Sequence, residues 1–434
     1  MLGGCSLTFN FANTHYQCGP NGECPNGQSC VQDVCVAGSS MGDAGTDTDT
    51  DGMPDGSGPA LRCGTLYTIH DSFDAASPLW YTWTDGGPSA TLAAGDLVVS
   101  LPSGSADLWA GYGSQFLYDF TSSALEVQLD QAAATTTVVE VRGPNNEKDQ
   151  LMVDSGMLVA AVLNTGNAGT KAQTPYDPTV HKWLRLREDA GQTYFEWSTD
   201  GTTWTELTHI PDAFSPLDVR IELAAGGEQA QASTAKFGAV NTNAPVAAAC
   251  PTDTFVEDFA APAPAYQLWT DSGTTAMLTG GQVVITTDGV TDHYAGVEAT
   301  HIFDLDGHTV YLDMPPAVQT SPFITFAQIA MPNDTSSKVV FQVEGSTLYM
   351  LELVNNTNVS SNSLPYNATA QRYWRFRAAG TQIFFETSPD ATTWTQQASA
   401  PAMFDTTHVS ILAGAGEYGT TPTHSATFAG FNTP

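Results

Sequence analysis

The strongest constraint on this chain is that its second half repeats its middle. Asp71-Ser72-Phe73 is answered by Glu257-Asp258-Phe259 186 positions later, and Trp83-Thr84-Asp85 by Trp269-Thr270-Asp271 at the same offset. Further on the offset becomes 190, where Pro175-Tyr176 matches Pro365-Tyr366 and Trp183 to Trp204 aligns without a gap on Tyr373 to Trp394. Phe237 and Asn241 then match Phe428 and Asn432 at 191. An offset that drifts by a few residues means loop insertions in two related domains of about 180 residues, since solenoid units hold roughly 20–45.

Each copy reads as β throughout. Asp96 to Leu101, Leu125 to Leu129 and Val219 to Leu223 are short, alternate in polarity or run apolar, and sit between Gly, Asp and Pro clusters. No helical stripe appears, so each copy is a sandwich or barrel. In the hairpin around Trp183, pairing Arg187 with Gln192 puts Leu184, Leu186, Phe195 and Trp197 on one face and Trp183, Arg185, Tyr194 and Glu196 on the other. The second copy obeys the same rule, with Trp374, Phe376, Ile383 and Phe385 inside and Tyr373, Arg375, Phe384 and Glu386 outside. A one-residue slip would mix the sets, so the pattern fixes which face is which. Arg185, Arg187, Arg375 and Arg377, half of all the arginines, are expected to pair with Glu196 and Glu386 across the hairpin; the functional alternative is a cradle for an anionic glycan. Asp200-Gly201 supplies a tight turn, replaced in the second copy by Asp390-Ala391, where a positive φ suits alanine less.

The stretch Trp183-Leu184-Arg185-Leu186-Arg187, Tyr194 to Trp204, and its partner from Arg375 to Trp394 resemble the signature hairpin of concanavalin A-like lectin/glucanase jelly rolls, including DUF1349-type and laminin-G-like domains. The resemblance implies an all-β protein of two tandem jelly-roll β-sandwiches, residues 61–243 and 250–434, joined by a short linker at 244–249. A small disulfide-rich module and an acidic linker precede them.

Leu2-Gly3-Gly4-Cys5 matches a bacterial lipobox, so residues 1–4 read as the remnant of a signal peptide and Cys5 as the lipidated residue. A diacyl anchor plus an N-acyl chain would hold the protein to a membrane firmly. Lipidation also accounts for the odd member of the seven cysteines. Cys18, Cys24, Cys30 and Cys35 lie in a module (5–36) too small for a core of its own, which two disulfides would hold; zinc would require closer ligand spacing. Cys63 and Cys250 stand before the two repeats and are expected to bridge, bracketing the first, with intermolecular pairing as the alternative. This N-terminal region resembles the Cys-rich, Asp/Thr-linker start of myxobacterial surface lipoproteins. In residues 37–60, 19 of 24 positions are Gly, Ser, Thr, Asp or Pro, the composition of an extended spacer. Within it Asp47, Asp49, Asp51 and Asp55 occupy positions 1, 3, 5 and 9 of a calcium-loop pattern with Gly52 at 6, but position 12 is Gly58. Calcium is the one metal the sequence suggests, and a solvated acidic spacer has the same composition; no cofactor is required.

A formal charge of −33 repels polyanions and argues against a nucleic-acid partner. The Glu-x-Asp-x-Glu or Glu-x-Asp-x-x-Glu strand of jelly-roll glucanases is missing, and Gly38-Ser39-Ser40-Met41-Gly42 lies in the linker without the strand and helix a nucleophile elbow needs. Aromatics that could stack on sugars cluster in the front half of each copy: Trp80, Tyr81, Trp83, Trp109 and Tyr112, then Trp269 and Tyr294. The resulting expectation is a non-enzymatic, extracytoplasmic binding protein of the bacterial outer membrane or cell surface, whose partner is a glycan or a surface protein. The alternatives are a glycan-processing hydrolase with an unrecognised carboxylate pair and a purely structural envelope lipoprotein.

Overall fold

The computed structural model describes residues 28–31, 34–37 and 63–433, apart from 165–167, 230–231, 318–319, 333 and 420–421. Cys5, Cys18, Cys24, Asp47, Asp49, Asp51 and Asp55 lie outside the described residues. The N-terminal unit shows one antiparallel hairpin, Gln28–Val31 with Val34–Ala37, whose register pairs Cys30 with Cys35. Among the described residues no helix is long and apolar enough to cross a membrane.

From Cys63 onward the chain is all-β, in two sandwiches. The first stacks two seven-stranded antiparallel sheets. The front sheet runs, edge to edge, Gly169–Pro175, Met157–Leu163, Lys148–Asp154, Thr136–Arg142, Arg220–Gln229, Gly104–Ser114 and Trp80–Thr84. The back sheet contains the signature hairpin, Trp183–Asp189 with Gln192–Ser198. The second sandwich repeats the front order with seven strands, while its back layer is a five-stranded and a three-stranded sheet. The strands exist because alternate residues are apolar: Val139, Val141, Leu151, Val153, Ile221 and Leu223 point between the layers and are almost wholly buried. A matching core in the second sandwich is built around Trp374, Phe341, Phe376, Phe385 and Phe431.

In the signature hairpin the observed register pairs Arg187 with Tyr194 and Asp189 with Gln192, two residues from the expected Arg187–Gln192 pairing. The reason is a tighter reversal at Ala190 and Gly191, both at positive φ. A shift of two preserves the faces, so Leu184, Leu186 and Phe195 are buried as expected. Arg185 donates to Glu196 at 2.7 Å and lies 4.1 Å from the centre of the Trp204 ring; Arg375 repeats this with Glu386 at 2.7 Å and Trp394 at 4.0 Å. These arginines thus pair with carboxylates across the hairpin, as expected, and also cover aromatic faces.

Cys63 and Cys250 form a disulfide that encloses the first sandwich. Around it the sandwiches touch: Ile302 packs onto the first core, the Leu117 N–H donates to Thr300 O at 3.0 Å, and His301 Nε2 lies 3.6 Å from Asp218.

Candidate functional site: the outward face of the first front sheet

Residues that alternate with the core on the front sheet of sandwich 1 point away from the core, and the register sorts them into rows. One row runs Tyr81, Gly113, Glu222, Glu140, Gln150 across five adjacent strands. The next, on one side, is Arg220, Arg142, Lys148. On the other side come Trp83, Gly111, Ala224, Val138 and Met152, and beyond them Trp109 with Gly226, Thr136 and Asp154. The face thus has a cationic row, a carboxylate row and an aromatic border.

The carboxylate row is its chemical centre. Glu140 and Glu222 are directly opposite on paired strands and are only 2% and 8% exposed, although they face outward. Arg142 bridges them: its Nη2 donates to Glu140 at 2.8 Å and also to Glu222. Gln150 Nε2 donates to Glu140 at 2.6 Å, and Lys148 Nζ lies 3.3 Å from Glu140. Burial, followed by the hydrogen bond and negative charge of Glu140, pushes Glu222 up to about 8, so it is protonated at neutral pH. Burial alone would raise Glu140 too, but the proton given by Glu222, together with Arg142, Lys148 and Gln150, outweighs it and holds Glu140 below the usual carboxylate range. Two like groups side by side have been driven apart into an acid and a base.

The aromatic border is made possible by glycine. A Cβ at Gly113 would collide with the Tyr81 ring, and one at Gly226 with the Trp109 ring, so both rings lie against the sheet where only hydrogen stands beneath them. Tyr81, Trp83 and Trp109 are half-buried on this face. Trp80 and Tyr112 are not part of it. They have the opposite parity, pack inward on Phe73 with centroids 6.1 and 6.4 Å away, and Trp80 Nε1 donates to Asp71 at 2.8 Å, which places Trp80 in the core and Tyr112 against it. Sequence reasoning named these neighbours together because clustering along the chain does not distinguish the two faces of a strand.

The same face of sandwich 2 carries Trp269 and Tyr294, again beside glycines, but its central rows differ. By register Leu412 stands where sandwich 1 has Glu222, Gln328 where it has Glu140, Ala330 for Arg142, Ser410 for Arg220 and Val340 for Gln150. Phe326, Val340 and Leu412 instead form an apolar cluster with Trp269 and Tyr294 against it. Among the described residues no group of three or more His, Cys, Asp or Glu is placed to hold a metal ion.

No protein-family model and no curated protein matches the sequence. Solved structures do. A Bacillus licheniformis β-glucanase is 12% identical, covering 41% of this chain and 95% of its own, with a TM-score of 0.33. A legume lectin-like domain from Entamoeba histolytica is 8% identical over 40% and 95%, TM-score 0.30. The GH43B protein of a Bacteroides ovatus xyloglucan PUL is 11% identical over 81% and 99%, TM-score 0.35. At these identities what each protein acts on stays with that protein. The expectation that this chain is not an enzyme is corrected on its own ground: it rested on the absence of a one-strand glucanase motif, and the front sheet pairs the carboxylates Glu140 and Glu222 across two strands.

Proposed function

We propose that sandwich 1 is a glycan-processing hydrolase domain whose acid and base are Glu222 and Glu140. The observation that carries the reading is the buried, hydrogen-bonded carboxylate pair with opposite pKa shifts, set between a cationic row and an aromatic border. Glu222 keeps its proton at neutral pH and can deliver it to the oxygen of a glycosidic bond as that bond breaks. Glu140 stays ionised and attacks the sugar or draws a proton from the incoming water. Carboxylates in direct contact are closer than the roughly 5–5.5 Å of a retaining pair, so a bound sugar takes the place of their hydrogen bond. Tyr81, Trp83 and Trp109 supply flat apolar surface for sugar rings. Sandwich 2, without the pair, is a non-catalytic companion in this reading. The enclosing disulfide and the Leu2-Gly3-Gly4-Cys5 sequence support an oxidising, extracytoplasmic setting with a lipid anchor.

The test is release of reducing ends from a glycan panel by the full chain. Glu222→Gln and Glu140→Gln should each lower turnover about 10²–10⁴-fold with the fold unchanged by circular dichroism. Wild-type kcat/KM, which reports the free enzyme, should fall as pH rises past about 8, where Glu222 gives up its proton. Wild-type turnover in either variant, or no release from any glycan, overturns the proposal.

A further inference from the structure

The substrate's charge is written in the row beside the carboxylates. Arg220, Arg142 and Lys148 stand side by side on three adjacent strands, three of only 13 Lys and Arg in a chain of net charge −33. Arg142 and Lys148 keep 30% and 21% of their side chains exposed, so they face the ligand's side of the sheet. Arg220 is tied in place by its Nη1, which donates to Ser114 O at 3.0 Å and Gln115 O at 2.9 Å. Arg142 uses Nε and Nη2 on Glu140 and Glu222, and Lys148 lies 3.3 Å from Glu140, so a ligand meets Arg142 through Nη1 and Lys148 through its exposed side. Two further acidic groups of this face, Asp107 and Asp154, lie at the opposite end, bonded to Trp109 Nε1 and Thr136 Oγ1. Folding does not require the two arginines: Ala330 and Ser410 stand at the places of Arg142 and Arg220 in sandwich 2, which builds the same sheet and keeps a lysine, Lys338, at the place of Lys148.

We infer that the glycan taken by sandwich 1 is acidic, a polyuronate whose sugar carboxylates are received by Arg142, Lys148 and Arg220. This rests on the reading of the face as a glycan site and adds the substrate class. A local positive field in an otherwise acidic protein selects against neutral chains and makes affinity depend on salt.

The experiment is affinity electrophoresis and reducing-end release with the full chain on polygalacturonate and alginate, against mixed-linkage glucan and xylan. The expected result is at least tenfold tighter retention of a polyuronate than of either neutral glycan, weakening as sodium chloride rises from 20 to about 300 mM. Lys148→Gln, a substitution at the half-exposed end of the row, should lose severalfold in polyuronate affinity while its melting temperature stays near wild type. Equal or better handling of a neutral glycan overturns the inference and leaves the hydrolase reading standing. Failure to bind or cleave any of the four overturns both. Polyuronate binding that Lys148→Gln and salt leave unchanged also overturns the inference, because the cations would then not be the receptors.

Discussion

Asp149 is a carboxylate for which the fold provides no donor of its own. It is 1% exposed, and neither oxygen has a hydrogen-bond partner. The nearby Thr193 hydroxyl has a single proton and gives it to Asp212 at 3.1 Å. Burial pushes Asp149 up to about 7. Its folded-state value thus lies above its ordinary one of 3.8, so the protonated form is the one the fold tolerates. Its effect on stability is therefore absent below about pH 4, grows unfavourable as pH rises, and levels off above about pH 7. In sandwich 2 the three positions hold Val339, Ile383 and an alanine, Ala402. We predict that Asp149→Val stabilises the protein by about 1–3 kcal/mol at pH 8 and little at pH 4, read by urea denaturation at both. A variant that is less stable at pH 8 would show that Asp149 has a partner there. Glu140 and Glu222 could not be picked out at this scale. Each looks like an ordinary polar residue in a strand, and 82 positions separate them.

At the scale of the element, alternation told which residues share a face, and turn geometry decided the pairing. The Arg187–Gln192 register failed because Ala190 takes φ 53°, a conformation that residue type does not announce. The later turn shows the same economy: Gly201 has φ 72°, and Ala391 occupies the corresponding place at φ 58°. Replacing Ala391 with glycine removes a side chain from a left-handed position and should raise stability by about 0.5–1 kcal/mol, seen as a higher melting temperature. On the front sheet the converse holds. Gly226→Ala would push Trp109 off its seat, so glycan affinity should drop about tenfold while Trp109 fluorescence shifts to a more solvated emission. Unchanged affinity in that variant would remove Trp109 from the site.

For the whole molecule the decisive covalent feature is the Cys63–Cys250 bridge, with a sequence separation of 187. Loop-entropy reasoning assigns such a closure up to about 5 kcal/mol, so Cys63→Ser should lower the midpoint of denaturation markedly, and reductant should do the same to wild type. An unchanged midpoint would mean that the contacts around Ile302 and Thr300 already hold the closure. The amino-acid sequence by itself determined the β class, the matching halves, the inward sets of the signature hairpin and the expected partner of Cys63, because period-two alternation and repetition are local or copied signals. Only the tertiary structure decided that Trp80 turns in and Tyr81 out, that Glu140 meets Glu222, and that sandwich 2 replaces the pair with Leu412 and Gln328. Those facts depend on which distant strands lie side by side and in what register. Pairing between distant strands is fixed by packing of the two layers, a property that no short window of sequence contains.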